Sequence, residues 1–548
     1  MMKTTKIIAS AMFVALAMAS CTDLDVDVKS KYTDYPTESE VALEAKMADV
    51  YYAFRNQLGN NYNRTQTFAS DEAAGISFDG DYYDNAENVN PTLHNFKADN
   101  TPLNYWADLA SGITKCNQVL KDLADINATA EQMAPARAMR AFYHFILMDS
   151  FGDVPVLDRL PDDNEAVERA PRRKVAEFIE SELTACLPHL TSNVNAATYG
   201  KPTRWMAEAL LAKLYINWAV YTCGNVADYD AATTVNNRLD KCVAMCDDII
   251  NNGPFDLSDP YRKKFLYNNG AHIRDFIYAM PYDKVNATGM LYGRFRTFRK
   301  VDNGDTMGYL GGKMNNSCAG ITAMTEEFAN LFTLPGDDRN EVVLGATTDG
   351  KVFIHDAITG ERTTQPYTYK GKQLVLTKKP QLKSDSEVDR EQINCGANVD
   401  GWRQGYRSLK FYPNPSEYSA YNRNQSNDVP IFRLADIILT KAEALLRGAN
   451  KTNADTPQSL LNQIRSYVHA PQFDGVPTLQ DILDERGREL FDENWRRNDM
   501  IRFGTFENEY GFHLRNMPGA RFDKSCRILP VPKAILDENK NWHQNEGY

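Results

Sequence analysis

"FYHFILMDSFGDVP", residues Phe142–Pro155, reads as the end of a densely apolar helix that stops and turns straight. In the longer run "PARAMRAFYHFILMDSFG", Ala138, Phe142, Phe145 and Ile146 recur at three- and four-residue spacing, so they share one helix face. Gly152 is the residue type that ends a helix, because it adopts left-handed backbone without a Cβ penalty. Pro155 fixes its own φ and favours extension. The phrase is a packed helix with a defined exit, and it predicts that neighbouring helices supply the surfaces it packs on.

Such neighbours precede and follow it. "PTESEVALEAKMADVYYAFRNQL" opens with Thr37 and Glu40, a capping box by spacing. "LNYWADLASGITKCNQVLKDL" is a second helical run, and "PRRKVAEFIESELTACLPHL" opens on Pro171, a favoured first-turn residue. In "RWMAEALLAKLYINWAVY" the stripe Trp205, Ala209, Ala212, Ile216, Ala219 carries small residues that let another helix approach. "NRLDKCVAMCDDIINNG" closes at Gly253. Residues 254–428 then lose the period. Gly, Asn, Asp and aromatics alternate with short β-like runs such as "DFIYAMPY" and "QLVLTKK", with one helix near "AMTEEFANLF". Helices return in "VPIFRLADIILTKAEALLRG", "TPQSLLNQIRSYV" and "TLQDILDERGRELFDENWRRNDMIRFG", before a mostly extended tail.

The expected fold is therefore mostly α: a tetratricopeptide-like α-solenoid of helix pairs, 37–253 and 429–548, around a large irregular insertion, 254–428, of loops and short strands. No pair can bury its apolar stripe alone, which is why pairs stack. No clean 34-residue consensus is present.

The 548 residues carry a net charge of −12, with 24% charged and 43% hydrophobic. That excludes a disordered chain and argues against nucleic acid, which needs clustered Lys and Arg. Residues 1–20 read as a signal peptide: Lys3 and Lys6, then the apolar run "IIASAMFVALAMAS", too short for a stable membrane span. "MASC" resembles a bacterial lipobox, so Cys21 is expected to be cleaved at its amino side and acylated, with 21–36 as a lipidated tether. Ordinary secretion with a cut near Ala19 or Ser20 is the alternative. The eight remaining cysteines are too sparse for a disulfide scaffold, and Cys242 and Cys246, four apart on a predicted helix, read as core thiols. No two histidines lie within four residues of each other, and no metal or cofactor is expected.

The opening phrase resembles the signature of SusD/RagB-family lipoproteins, an R-A-F-Y-x-F run leading into F-G-D-V-P. Other segments fit the same family in order. Trp106, Ile113 and Asn117 match its W-x-x-x-Y-x-x-I-x-x-x-N segment, with Ala110 replacing the aromatic. "PTRWMAEALLAKLYIN" resembles its alanine-rich helix. Arg433, Leu434, Ala435, Leu439, Ala442, Glu443 and Ala444 fit R-L-A-E-x-x-L-x-x-A-E-A, with Asp436 for Glu. "ILDERGREL" and the closing "ILPVPKAILDENKNWHQNEGY" fit too. Asn494 stands where the family often has Gly, and Arg497 where it has an aromatic. Acidic residues after Cys21 resemble the surface-export signal of Bacteroidetes lipoproteins. The resemblance implies four tetratricopeptide-like helix pairs and a lipid-anchored protein on the outer face of the outer membrane. It also implies a SusC-like TonB-dependent transporter as partner and capture of a nutrient, usually a glycan oligomer. A RagB-like peptide importer and a surface-anchored glycoside hydrolase are the alternatives.

Catalytic templates fit poorly. Glu485 and Glu489 lie four apart on one helix face, whereas glycosidase carboxylates straddle a bond from opposing sides, about 5 to 9.5 Å apart. With Arg486, Glu493 and Arg496 they read as an ion-pair ladder along a helix. "GYLGGKMN" places Met314 where a P-loop needs Ser or Thr, and no G-x-S-x-G occurs. Binding remains. Sugars present C–H faces that stack on aromatic rings. Trp402, in "NVDGWRQGYRSLKFYPNP", is the one tryptophan outside the scaffold motifs, and Gly401, Arg403 and Gly405 around it suggest an exposed loop. Tyr82 and Tyr83 form a second candidate group, and Tyr292, Arg294 and Tyr309 a third.

Overall fold

A computed structural model describes residues 40–292, 308–312, 319–512 and 517–548. Cys21, Thr37 and Arg294 lie outside the described residues. The chain divides into a unit Met1–Lys46, whose described part is a helix start, and a compact unit Met47–Tyr548. The helices of the second unit that build the scaffold are α1 (Tyr105–Asp125), α2 (Ala130–Phe151), α3 (Arg172–Cys186), α4 (Arg204–Ile216), α5 (Leu239–Asn252), α6 (Leu434–Leu446), α7 (Pro457–Tyr467), α8 (Leu479–Leu490) and α9 (Arg496–Phe503). Sequential packing of α1 on α2, α2 on α3, α4 on α5, α6 on α7 and α8 on α9 gives the helix pairs. The contact of α5 with α6 joins the two halves across the insertion.

Helix α2 shows how sequence becomes position. Thr129 and Gln132 form a capping box at its start. Gly152 ends it at φ +78, where a Cβ would crowd Ile528 at 3.2 Å. Val154 then bridges to Ala170, as the extended exit requires. The predicted face Ala138, Phe142, Phe145, Ile146 is buried. So is every other residue from Ala138 to Phe151, because α2 sits at the centre with packed neighbours all round. Each large apolar side chain there contributes about 1.5–3 kcal/mol of burial. Gly112 of α1 lies so close that a Cβ would stand 2.8 Å from the Tyr143 ring.

Two long predicted helices break. "VPIFRLAD…" begins as a strand, Val429–Arg433, paired antiparallel with Phe276–Met280, and only then becomes α6. "ERGRELFDENWRR" breaks between α8 and α9, where Asp492 and Asn494 take φ of +63 and +70. Asn tolerates the left-handed region, which accounts for Asn494 where Gly is usual. Its side chain is also used: Nδ2 donates to Tyr292 Oη at 2.9 Å and Oδ1 accepts from Asn63 at 2.7 Å.

Glu485 keeps one partner on its own helix, Arg488, but the rest of the α8 network reaches other elements. Glu485 pairs with Arg339 at 2.6 Å, Arg465 at 3.1 Å and Arg488 at 2.7 Å. Glu489 pairs with Arg433 at 2.9 Å, and Arg486 with Asp436 and Asp499 at 2.8 Å each. Glu493 receives Lys410 at 2.6 Å and Arg433 at 2.8 Å. Arg339 and Lys410 come from the insertion, so the network ties the insertion to the scaffold inside the core. An ion-pair ladder was the right class of role with the wrong partners, because spacing reports only neighbours on the same helix.

Candidate functional site

The strand Ala73–Gly75, paired with Thr322–Met324, delivers the chain to the loop that carries Tyr82 and Tyr83. Ser77 pairs with the segment around Asn394, its N–H donating to Ile393 O at 3.1 Å and its O accepting from Cys395 N at 3.0 Å. Phe78 and Asp81 close a turn. Asp79, Gly80, Tyr82, Asp84, Asn85 and Ala86 then all have φ between +45 and +84. Left-handed backbone at a non-glycine residue is uncommon and costs energy that the surroundings must supply. Here Asn394 Oδ1 accepts from Asp79 N at 2.7 Å, Lys383 pairs with the Asp79 carboxylate at 2.6 Å, and Asn88 Nδ2 donates to Tyr82 O at 3.1 Å. The outcome is a braced loop with two adjacent, partly buried tyrosines. Strain held in place by fixed partners is characteristic of binding loops.

Lys383 also lines a groove of about 500 Å³ with Lys379, Gln381, Arg390 and Met517. That volume is in the range of small-ligand sites. The Lys383–Asp79 ion pair places groove and tyrosine loop side by side. Sequence reasoning missed these groove residues because they share no period and no motif. The one legible signal was five lysines without an acidic residue across 370–383.

Trp402 is not an exposed loop residue. It ends a short helix, Asn398–Trp402, and is 1% exposed. Its ring stacks on Tyr309 with centroids 5.6 Å apart, and Tyr309 meets Tyr367 edge-on at 5.5 Å. The Arg407 guanidinium lies 5.6 Å from the Trp402 ring and donates to Trp402 O, to Gly320 O at 3.0 Å and to Gln404 O at 3.1 Å. The flanking glycines serve packing rather than exposure. A Cβ on Gly401 would meet Phe78 at 2.9 Å, and one on Gly405 would meet Ala323 at 2.8 Å. Gly401, the chain neighbour of Trp402, lies against Phe78, which closes the turn before Tyr82. The structure thus brings Trp402 and Tyr309 into contact and keeps Tyr82 and Tyr83 together on their loop. Tyr292 is elsewhere: 1% exposed, edge-on to Phe411 at 4.8 Å, and bonded to Asn494.

Glu485 and Glu489 are fully buried in ion pairs, out of reach of any substrate. Burial alone would raise the Glu485 carboxyl, but Arg339, Arg488 and Arg465 hold it down at about 2. Among the described residues no cluster of three or more His, Cys, Asp or Glu is placed to hold a metal ion. Also among them, no helix is long and apolar enough to cross a membrane.

Residues 274–548 match the family profile described as "SusD family". The chain belongs to the SusD family. Residues 24–216 match a second profile, described as "Starch-binding associating with outer membrane". Among curated relatives, "Starch-binding protein SusD" of Bacteroides thetaiotaomicron is 25% identical over 465 residues, 82% of this chain and 77% of the relative. A "SusD-like protein" of Bacteroides ovatus is 25% identical over 514 residues, 89% of this chain and 80% of the relative. Solved structures share the fold. A "Laminarin binding SusD-like protein" superposes with a TM-score of 0.68 at 20% identity, covering 93% of this chain and 100% of that one. "Surface glycan-binding protein A" of Bacteroides thetaiotaomicron, in complex with laminarihexaose, gives 0.67 at 18% identity, covering 92% and 99%. The expected helical, tetratricopeptide-like fold with an insertion is the SusD-family fold. In this SusD-family chain the motif residues of α2, α6 and α8 are scaffold, and the partly buried tyrosines lie on a loop outside them.

Proposed function

We propose that this chain is a non-catalytic, cell-surface lipoprotein that captures glycan oligomers and delivers them to a SusC-like TonB-dependent outer-membrane transporter. The observation that carries the reading is the braced left-handed loop presenting Tyr82 and Tyr83 beside the groove of about 500 Å³. Two adjacent rings offer stacking faces to sugar C–H surfaces, and Gln381, Lys383 and Arg390 offer hydrogen bonds to hydroxyls. Family membership supports both the glycan class and the outer-membrane setting, since relatives are named for starch and laminarin binding. Cys21 supports a lipid anchor.

A glycan array with a peptide pool beside it tests the ligand class. Binding of an oligosaccharide without release of reducing ends is expected. Binding of peptides alone would favour the RagB-like reading, and released reducing ends would favour a hydrolase. Mild detergent extraction and pull-down are expected to recover a large TonB-dependent barrel; recovery of the protein alone, from cells expressing both, would remove the transporter from the proposal.

A further inference from the structure

A larger groove, of about 690 Å³, lies within the insertion. Lys378 lines it and Lys379 lines the groove beside the tyrosine loop, so the two adjoin along one segment. One wall is the segment Phe332–Glu341, fixed to the end of α7 by Asp338 N donating to Val468 O at 2.9 Å. The opposite wall is the hairpin of Phe353–His355 and Arg362–Pro366. Tyr406 is packed so tightly under Gly345 that a Cβ there would lie 2.6 Å from its ring.

The chemistry of the lining is specific. Its two solvent-facing carboxylates, Asp338 and Glu341, are matched in number by two cations, Arg362, which pairs with Glu341 at 2.5 Å, and Lys378, while Asp337 is buried against Arg339 at 2.8 Å. The groove therefore presents donors and acceptors with little net field, unlike the acidic surface expected of a chain at −12. Thr333, Thr347, Thr348, Thr363 and Thr364 interleave hydroxyls with methyls, next to the rings of Phe353 and Tyr406. Mixed small polar groups, methyls and rings without net charge match a polyol with apolar C–H faces, not a charged polymer.

We propose that this groove is a second binding site for uncharged oligosaccharide. The proposal rests on the glycan-binding reading above but uses a different surface. The test is hydrogen exchange on the full chain, free and with laminarihexaose, maltoheptaose or cellohexaose, repeated on Thr364→Trp. Thr364 is exposed on a strand, where a large aromatic is tolerated but blocks the groove. At least one sugar is expected to slow exchange both in 79–87 and in 333–364, and Thr364→Trp to abolish only the second. Protection confined to 79–87, or protection of 333–364 that survives Thr364→Trp, overturns the second site and leaves the proposed function standing. Protection of 333–364 alone supports the second site and removes the tyrosine loop. Protection of neither segment by any of the three overturns both.

Discussion

Arg339 of the insertion donates to Glu485 of α8 at 2.6 Å, with both side chains fully buried. Taking two charges out of water is expensive, so such a pair holds only where every remaining lone pair and N–H is engaged. Here it is: Arg339 also binds Asp337, and Glu485 also accepts from Arg465 and Arg488. The pair fixes where the insertion sits on the scaffold, and the insertion carries both grooves. A motif that looks catalytic by composition thus governs the position of the two grooves.

Removing one partner of that pair leaves an uncompensated buried charge. Arg339→Met is therefore expected to destabilise the fold by about 3–5 kcal/mol, read from denaturant unfolding. The same ion pairs set acid sensitivity. The folded Glu485 carboxyl lies at about 2, below its ordinary value, so it binds its proton less readily folded than unfolded. Its contribution is fully present above about pH 4.5 and is lost as pH falls toward 2. Glu485→Gln should flatten the unfolding curve in that window. An unchanged acid limb would show that other carboxylates dominate it.

The scaffold was legible because helices repeat. Thr129, Gly152 and the Ala138–Ile146 face each have a local physical reason that a sequence displays. The site was less legible because its geometry is long-range. Trp402 looked exposed, since Gly401 and Gly405 suggest a loop; the glycines are there because Phe78 and Ala323 leave no room for a Cβ. Asn394 and Lys383, which brace the tyrosine loop, lie more than 300 residues from Asp79. No spacing rule reaches that far. The strand at Val429 was also read as helix, because a short apolar run before a helix has no period of its own.

Asp428 gives a second pH dependence of opposite sign. It is buried, its carboxylate accepting from Tyr199 Oη and Tyr282 N at 2.7 Å each, and burial raises its carboxyl to about 7. The folded state therefore binds the proton more tightly than the unfolded chain does. Stability from this group is fully present below about pH 4 and is lost as pH rises through 7. Asp428→Asn keeps the size and an acceptor without the charge. Its melting temperature should exceed that of the parent at pH 8 and match it at pH 4. Equal melting temperatures at pH 8 would mean that the carboxylate is solvated in the folded protein.

Cys21 lies outside the described residues, so its role is tested in the cell. Cys21→Ala is expected to leave a soluble or unprocessed protein. A variant that stays membrane-bound and open to surface proteolysis would overturn the lipid anchor.

Trp402 and Tyr83 separate support from contact. Trp402 is fully buried against Tyr309 and Arg407, so Trp402→Ala leaves a cavity and should cost about 3–5 kcal/mol of stability. Tyr83 is only partly buried, on the braced loop, so Tyr83→Ala should move the melting temperature far less than Trp402→Ala. If the loop stacks on a glycan, the same change should weaken binding by about 1–3 kcal/mol, the range for losing an interface aromatic. Both quantities are measured on both variants, by thermal unfolding and by titration with an oligosaccharide selected from the array. The loop is the contact surface only if the two effects divide in this way. Native affinity in Tyr83→Ala would move the site off this tyrosine. Weakened binding by folded Trp402→Ala at unchanged melting temperature would mean that the ring opens to ligand, which its present packing against Tyr309 prevents.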